Sequence, residues 1–202
     1  RERELYELAT DLLVQLHRNP PMPGLRVHGL DQWLEELMLF TDWYCPAIGL
    51  EVDKPAYRAA WTEVLEPVAR DGLGPVTVLR DYHAENIMLV EGRDGVGHFG
   101  LLHFQGALPG HPAYDLASVL EDARRDVPPE LERAMLDRYI GATGQSESFE
   151  RAYWALAGHP ASDLASVLED ARRDVPPELE RAMLDRYIGA TGQRESFERA
   201  YW

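Results

Sequence analysis

Val78-Leu79-Arg80-Asp81-Tyr82-His83-Ala84-Glu85-Asn86, followed seventeen residues later by His103-Phe104-Gln105, decides how this chain is read. An apolar, β-branched run leads up to Asp81. Asn86 follows five residues on, and a second apolar run, Ile87 to Val90, begins at once. The pattern predicts a strand, a tight polar loop and a returning strand. It brings one carboxylate and one amide to the mouth of one loop. Taken singly, each has a plainer reading, since Asp and Asn are common loop residues that bond their own backbone. Taken together between two strands, they are the pair that phosphoryl transfer uses: an acceptor for a hydroxyl proton and an oxygen ligand for Mg²⁺.

Arg-Asp, four residues, then Asn is also the spacing of the kinase catalytic loop. The chain resembles the aminoglycoside phosphotransferase and choline kinase superfamily, and within it the bacterial sugar kinases acting on N-acetylmuramate and N-acetylglucosamine. Three segments carry the likeness: Leu79 to Asn86, Leu101-Leu102-His103-Phe104-Gln105-Gly106-Ala107, and Gly110-His111-Pro112-Ala113-Tyr114-Asp115-Leu116-Ala117-Ser118. It extends from about Glu4 to Trp154. The resemblance implies an α+β, mostly helical fold: the C-terminal lobe of a protein-kinase-like fold, with a small β element carrying the loop. It implies ATP and Mg²⁺ as cofactors and a sugar or aminoglycoside hydroxyl as acceptor. It makes Asp81 the catalytic base or hydroxyl orienter, and Asn86 with the residue at 103 the metal ligands. Arg80 and Asp115 become structural supports of the loop. The acceptor is expected against the helical lobe, near Trp43 and Tyr44.

Position 103 departs from the pattern, with His where the family carries the metal-binding Asp. Mg²⁺ is a hard ion that takes oxygen ligands. A neutral imidazole brings no charge and prefers zinc, copper, iron or nickel. The metal site therefore reads as degenerate, and Gly106 stands where close relatives carry an acidic residue. No glycine-rich phosphate loop precedes Asp81; Gly72-Leu73-Gly74 runs into Pro75 and reads as a turn. Lys54 is the only lysine and falls in a loop. These features predict that the N-terminal lobe is absent, that ATP and Mg²⁺ binding are weak, and that phosphotransfer is feeble or absent. Two alternatives stay open: a pseudokinase-like binding module, and a non-functional product of truncation and duplication.

Bulk composition narrows the partners. Asp+Glu number 35 against 20 Lys+Arg, a formal charge of −15, which repels nucleic acid and anionic membranes. A single cysteine, Cys45, excludes an internal disulfide and fits a reducing, cytoplasmic setting. No apolar run is long enough to span a bilayer, and no signal peptide is visible. Arg1 already lies in a helical pattern, which suggests a fragment or a processed chain.

Apolar periodicity predicts a helix over 4–18, with His17-Arg18 placing positive charge at its end. Further helices are expected from an Asp31 cap to about Trp43, from Pro55 to about Arg70, over 113–125, and from Val127-Pro128-Pro129 to about Ile140, ended by Gly141-Ala142-Thr143-Gly144. Ser146 is expected to cap one more. Strands are expected at 76–80, 87–91 and 98–103, the last two joined by Gly92-Arg93-Asp94-Gly95. Residues 110–154 then recur as 158–202, with two differences in 45 positions: Tyr114 becomes Ser162 and Ser146 becomes Arg194. Residues 1–154 are thus read as the kinase-like lobe, and 155–202 as a tandem helical copy without its own Asp81 or Asn86. The copy's apolar face (Leu164, Val167, Leu168, Leu179, Met183, Tyr187) has to be buried somewhere, and three outcomes stay open: docking where the family's own helices would sit, self-association with another chain, and partial disorder. The Arg194 difference removes a cap, and the last helix of the copy is expected to fray first.

Overall fold

The computed structural model describes residues 1–158, apart from Ile48, Ala123 and Arg124. The expectations for the tandem copy, its self-association and its frayed last helix lie outside the described residues. Residues 1–27 and 73–153 cluster as one compact unit, and 28–72 with the described residues from Trp154 as another.

In the first unit, α1 (Glu2–His17) presents Tyr6, Ala9, Leu13 and Val14 to the core. It packs on α6 (Pro129–Thr143) and α5 (Tyr114–Leu120). From α6, Leu131, Met135, Leu136 and Tyr139 are buried, as are Phe149 and Tyr153 of α7 (Glu147–Ala157). Tyr139 and Phe149 stack with centroids 4.8 Å apart. Two polar contacts lock this packing. The Tyr153 hydroxyl donates to Glu132 Oε1 (2.7 Å), and Arg138 holds Asp11 through two 2.7 Å bonds.

Four short strands complete the unit in two antiparallel pairs. β1 (Val76–Val78) pairs with β4 (Leu108–Gly110), and β2 (Ile87–Leu89) with β3 (Phe99–Leu101). The strands are shorter than predicted, and β4 was not anticipated, because Leu-Pro-Gly has no alternating pattern. Pro109 is tolerated in a two-stranded pair that leaves one edge of each strand free. The helix at Pro129 runs past Gly141 and stops at Gly144, whose φ of 68° is the left-handed cap a glycine accepts at no steric cost. The helix predicted over 113–125 is also shorter, ending at Leu120. Ser146 bonds Ser148 through its hydroxyl (2.9 Å) instead of capping a backbone N–H.

The second unit is built on aromatic rings. α2 (Leu30–Leu39) continues through a π-helical turn, Phe40–Tyr44, into the single turn α3 (Cys45–Ala47), and α2 packs on α4 (Lys54–Ala69). Phe40 stacks on both Tyr44 and Tyr57, and Trp61 meets Tyr57 edge-on. Asp31 lies in the first turn of α2; the cap position is Gly29, whose N–H donates to Gln32 Oε1 (3.3 Å). The α4 start has a true side-chain cap, Asp53 Oδ1 accepting from the Ala56 N–H (3.0 Å). Buried His28 accepts from Trp33 Nε1–H at Nδ1 (3.3 Å), which leaves Nε2–H to donate to Glu36 (3.0 Å).

His17 corrects the helix-dipole expectation. Its Nδ1 meets the Tyr139 hydroxyl at 2.7 Å, and burial pushes its pKa down from 6.5 to about 4. It is therefore neutral at physiological pH and brings no positive charge to the end of α1. The unfolded chain protonates this ring near 6.5 and the folded chain only near 4, so in that window unfolding takes up a proton and acid costs stability. Between about pH 7 and about pH 5, the wild type should lose about 2 kcal/mol relative to His17→Asn. Urea melts of the two proteins at both pH values measure this; a gap that does not change with pH contradicts a neutral buried imidazole.

Candidate active site

The β1–β4 register pairs Val78 with Leu108 and Val76 with Gly110, so the chain leaving β1 runs beside the start of α5. There Asp115, fully buried, accepts from the Leu79 N–H (2.6 Å, Oδ2) and the Arg80 N–H (2.9 Å, Oδ1). Two successive N–H groups converging on one anion form a nest. Arg80 reaches this arrangement with φ at 71°, a left-handed conformation that costs a non-glycine residue about 1–2 kcal/mol. Burial pushes the Asp115 carboxyl up to about 7, against the opposing pull of the two N–H donors and the Arg80 guanidinium. At the turn, the His111 ring accepts from the Ala113 N–H (3.1 Å).

Beyond Arg80 the loop is fastened from below. Tyr82 is buried, and its hydroxyl donates to the Ala9 carbonyl of α1 (2.9 Å). Asp81 on its other side faces outward, with its side chain 36% exposed. Asn86 Nδ2 donates to the Asp81 carbonyl (3.0 Å) and lies 2.9 Å from His83 Nε2. The same His83 nitrogen is 2.9 Å from Asp81 Oδ1. That nitrogen can accept from the Asn86 amide or donate to Asp81 Oδ1, one at a time, while the ring's Nδ1 is buried without a hydrogen-bond partner. With the Asn86 amide nitrogen turned inward, Oδ1 is the atom left to meet a cation.

Residue 103 arrives through the second strand pair. Leu101 faces Ile87, and the Leu102 N–H donates to the Asn86 carbonyl (2.9 Å), so that Leu102 lies opposite Asn86 and His103 comes next in the chain. His103 has φ at 55°, a left-handed position in which Asp, Asn and His are enriched among non-glycine residues. Its side chain is 59% exposed, and Nδ1 lies 3.9 Å from Asp81 Oδ2, beyond hydrogen-bonding range. Asp81 thus lies between Asn86, bonded to its carbonyl, and the His103 ring, with Asp115 bonded to the two N–H groups that precede it. Among the described residues, no group of three or more His, Cys, Asp or Glu side chains could hold a metal ion.

The remaining sequence candidates lie in the second unit. Tyr44 is buried, with its ring face taken by Phe40, so it offers a ligand no surface. Trp43 is 69% exposed on the π-helical turn. Lys54 pairs with Asp42 (2.6 Å). Sequence reasoning gave little weight to Tyr82 and His83. Nothing local marks the first, since its partner is 73 residues away. The second had a signal in hindsight: an imidazole two residues after Asp81 and three before Asn86 can reach both.

A profile of the phosphotransferase enzyme family matches residues 1–154. The chain belongs to this family. It is 39% identical over 153 residues to an N-acetylmuramate/N-acetylglucosamine kinase of Caulobacter vibrioides, covering 70% of this chain and 42% of that one. A kinase of the same name from Pseudomonas aeruginosa is 33% identical over 139 residues, 67% of this chain and 39% of the relative. This family member thus spans about two fifths of the length of these curated relatives. Its fold is similar to Plasmodium vivax ethanolamine kinase, with TM-score 0.60 and 14% identity over 94% of this chain and 59% of the other. It is also similar to the ADP-bound aminoglycoside phosphotransferase APH(2'')-Ib, with TM-score 0.54 and 18% identity over 98% of this chain and 66% of the other. Those likenesses show a mostly helical, kinase-like fold. Among the described residues, no helix is long and apolar enough to cross a membrane.

The Asp115 grip is open to direct test. Asp115→Asn keeps one acceptor but turns an amide N–H toward a backbone N–H. It should cost about 2–3 kcal/mol in urea melts and speed hydrogen exchange at Leu79 and Arg80. Unchanged exchange at those two amides would mean the carboxylate does not hold them.

Proposed function

We propose that this chain is the catalytic-loop lobe of an ATP-dependent phosphotransferase whose acceptor is a hydroxyl of a sugar of the N-acetylmuramate or N-acetylglucosamine class, or of an aminoglycoside. The observation that supports this most strongly is the pairing of Asp81 and Asn86, whose amide donates to the Asp81 carbonyl, in a loop held from behind by Asp115 and Tyr82. In this reading the acceptor hydroxyl lies against Asp81 Oδ2. Its proton passes to that carboxylate as its oxygen bonds to the γ-phosphorus, and the bond from γ-phosphorus to the bridging oxygen breaks, leaving ADP with the electron pair. Asn86, itself buried, orients the loop carbonyl at Asp81. Met88 and Leu102, 52% and 43% exposed, flank the site as apolar surface for a nucleotide base.

Mg²⁺ fits poorly. A cation between Asn86 and residue 103 would meet one amide oxygen and one imidazole nitrogen, where hard-ion chemistry asks for carboxylate. The described residues before Asp81 also hold no glycine-rich phosphate cradle, and Lys54 is engaged by Asp42. This chain by itself should therefore transfer no phosphate from ATP to N-acetylglucosamine or N-acetylmuramate above a protein-free control. Mg²⁺-dependent turnover that vanishes in Asp81→Ala would confirm the roles assigned to the loop and overturn the inactivity.

A second reading, a module that binds the acceptor without phosphorylating it, is favoured by Trp43, a large ring left exposed on a π-helical turn, a feature frequent at functional sites. Saturable binding of N-acetylglucosamine, weakened at least about tenfold in Trp43→Ala, is the expected result of a calorimetric titration. Equal binding by both proteins would remove Trp43 from the acceptor surface.

A further inference from the structure

We infer that residues 155–202 are a second, interchangeable C-terminal segment for the first unit. They can replace 107–154 against β1 and α1 of the same chain, with Asp163 taking the place of Asp115.

The duplication is longer than the block that starts at Gly110. Ala107-Leu108 recurs as Ala155-Leu156, and Pro109 becomes Ala157, so the copies 107–154 and 155–202 abut with no residue between them. Gly106 and Trp154 therefore lead into equivalent segments. If the first copy leaves its seat, the second can follow Gly106 there in the same register, with 107–154 looped out between. Loop closure grows only with the logarithm of length, so a loop of that size does not forbid the exchange.

The second copy carries the residues that seat the first. Leu108 pairs with Val78 in the β1–β4 register, Asp115 takes the Leu79 and Arg80 N–H groups, and Tyr139 meets His17. Leu156, Asp163 and Tyr187 stand at the matching positions. Leu156 thus has two competing roles. It is buried in the last turn of α7, and it is the equivalent of Leu108 in β4. Three differences rank the copies. Ser146 is exposed, so arginine is tolerated at its equivalent, Arg194. Pro109 has no N–H to lose, so Ala157 breaks no ladder bond. Tyr114 is buried, and serine in its place leaves a void where the ring was. That deficit keeps the first copy seated. It also exceeds the loss of one carboxylate's hydrogen bond, so Asp115→Asn by itself does not unseat it.

Hydrogen exchange at the Leu79 and Arg80 amides of the full chain reads which copy is seated. Leu116 is fully buried in α5, and Leu116→Asp puts a charge where the first copy meets the core. In that variant the two amides should stay protected to within about tenfold of the wild type, and adding Asp163→Asn should speed them at least about tenfold. Protection in Leu116→Asp that is indifferent to Asp163→Asn overturns the inference, because the first copy is then still in place. If Leu116→Asp loses protection, Leu116→Asp/Ser162→Tyr supplies the missing ring to the second copy and should regain it. Failure to regain it also overturns the inference. On size-exclusion chromatography the protected variant should elute as the wild type does. Protection found only in a larger species would mean that the second copy comes from another chain, which overturns exchange within one chain.

Discussion

One buried carboxylate and two backbone N–H groups set the position of everything chemical in this unit. Asp115 reaches across from the first turn of α5 to Leu79 and Arg80, which immediately precede Asp81. The bonds do two jobs. They satisfy polar groups that would otherwise be buried without partners, and they hold Arg80 in a left-handed conformation that a free chain would leave. Because Asp115 is fully buried, moving it away would leave both N–H groups and the carboxylate unmatched. The loop therefore has one low-energy position, and Asp81 inherits it.

Rigidity is passed on from there by short steps. Tyr82 pins the next residue to α1 through a carbonyl of the helix backbone. His83 and Asn86 then close the loop onto Asp81 with three contacts near 3 Å. The Asn86 carbonyl takes the Leu102 N–H, which carries the same order across to the second hairpin. Sites of this kind depend on pre-positioned groups, since phosphoryl transfer asks the protein for placement and electrostatics more than for covalent chemistry. Here placement is achieved by backbone and buried polar contacts, and the Asp81 side chain stays partly exposed.

How much of this the sequence discloses depends on the range of each interaction. The spacing of Asp81 and Asn86 and the apolar runs around them are local, and they reveal the loop and its strands. Helices α1, α4 and α6 show in their apolar periodicity for the same reason. The ends of elements are less legible, because they hang on single bonds: Gly29 and not Asp31 begins α2, and α6 runs on past Ile140 to the last glycine of the 141–144 segment. Strand β4 is hidden, since three residues with a proline carry no pattern and exist as a strand only because β1 is there to pair with. Tyr82 reads as an apolar loop residue until α1 is placed beneath it. Tyr44, read as a surface ring, turns inward because the π-helical turn sets its ring against Phe40.

The forces that build the scaffold and those that would bind an ion pass through different atoms, and position 103 shows the consequence. The hairpin is registered by main-chain bonds, the loop by Asp115, Tyr82 and His83. None of these uses the side chain at 103, so folding constrains that position mainly through its left-handed backbone. Electrostatics is another matter. Removing a unit charge about 4 Å from a cation is worth about 4 kcal/mol at the effective dielectric of a protein surface, close to a thousandfold in affinity. A change with almost no cost to stability can thus remove most of the attraction for Mg²⁺. Loop geometry and the charge at position 103 are set by different atoms and can vary independently.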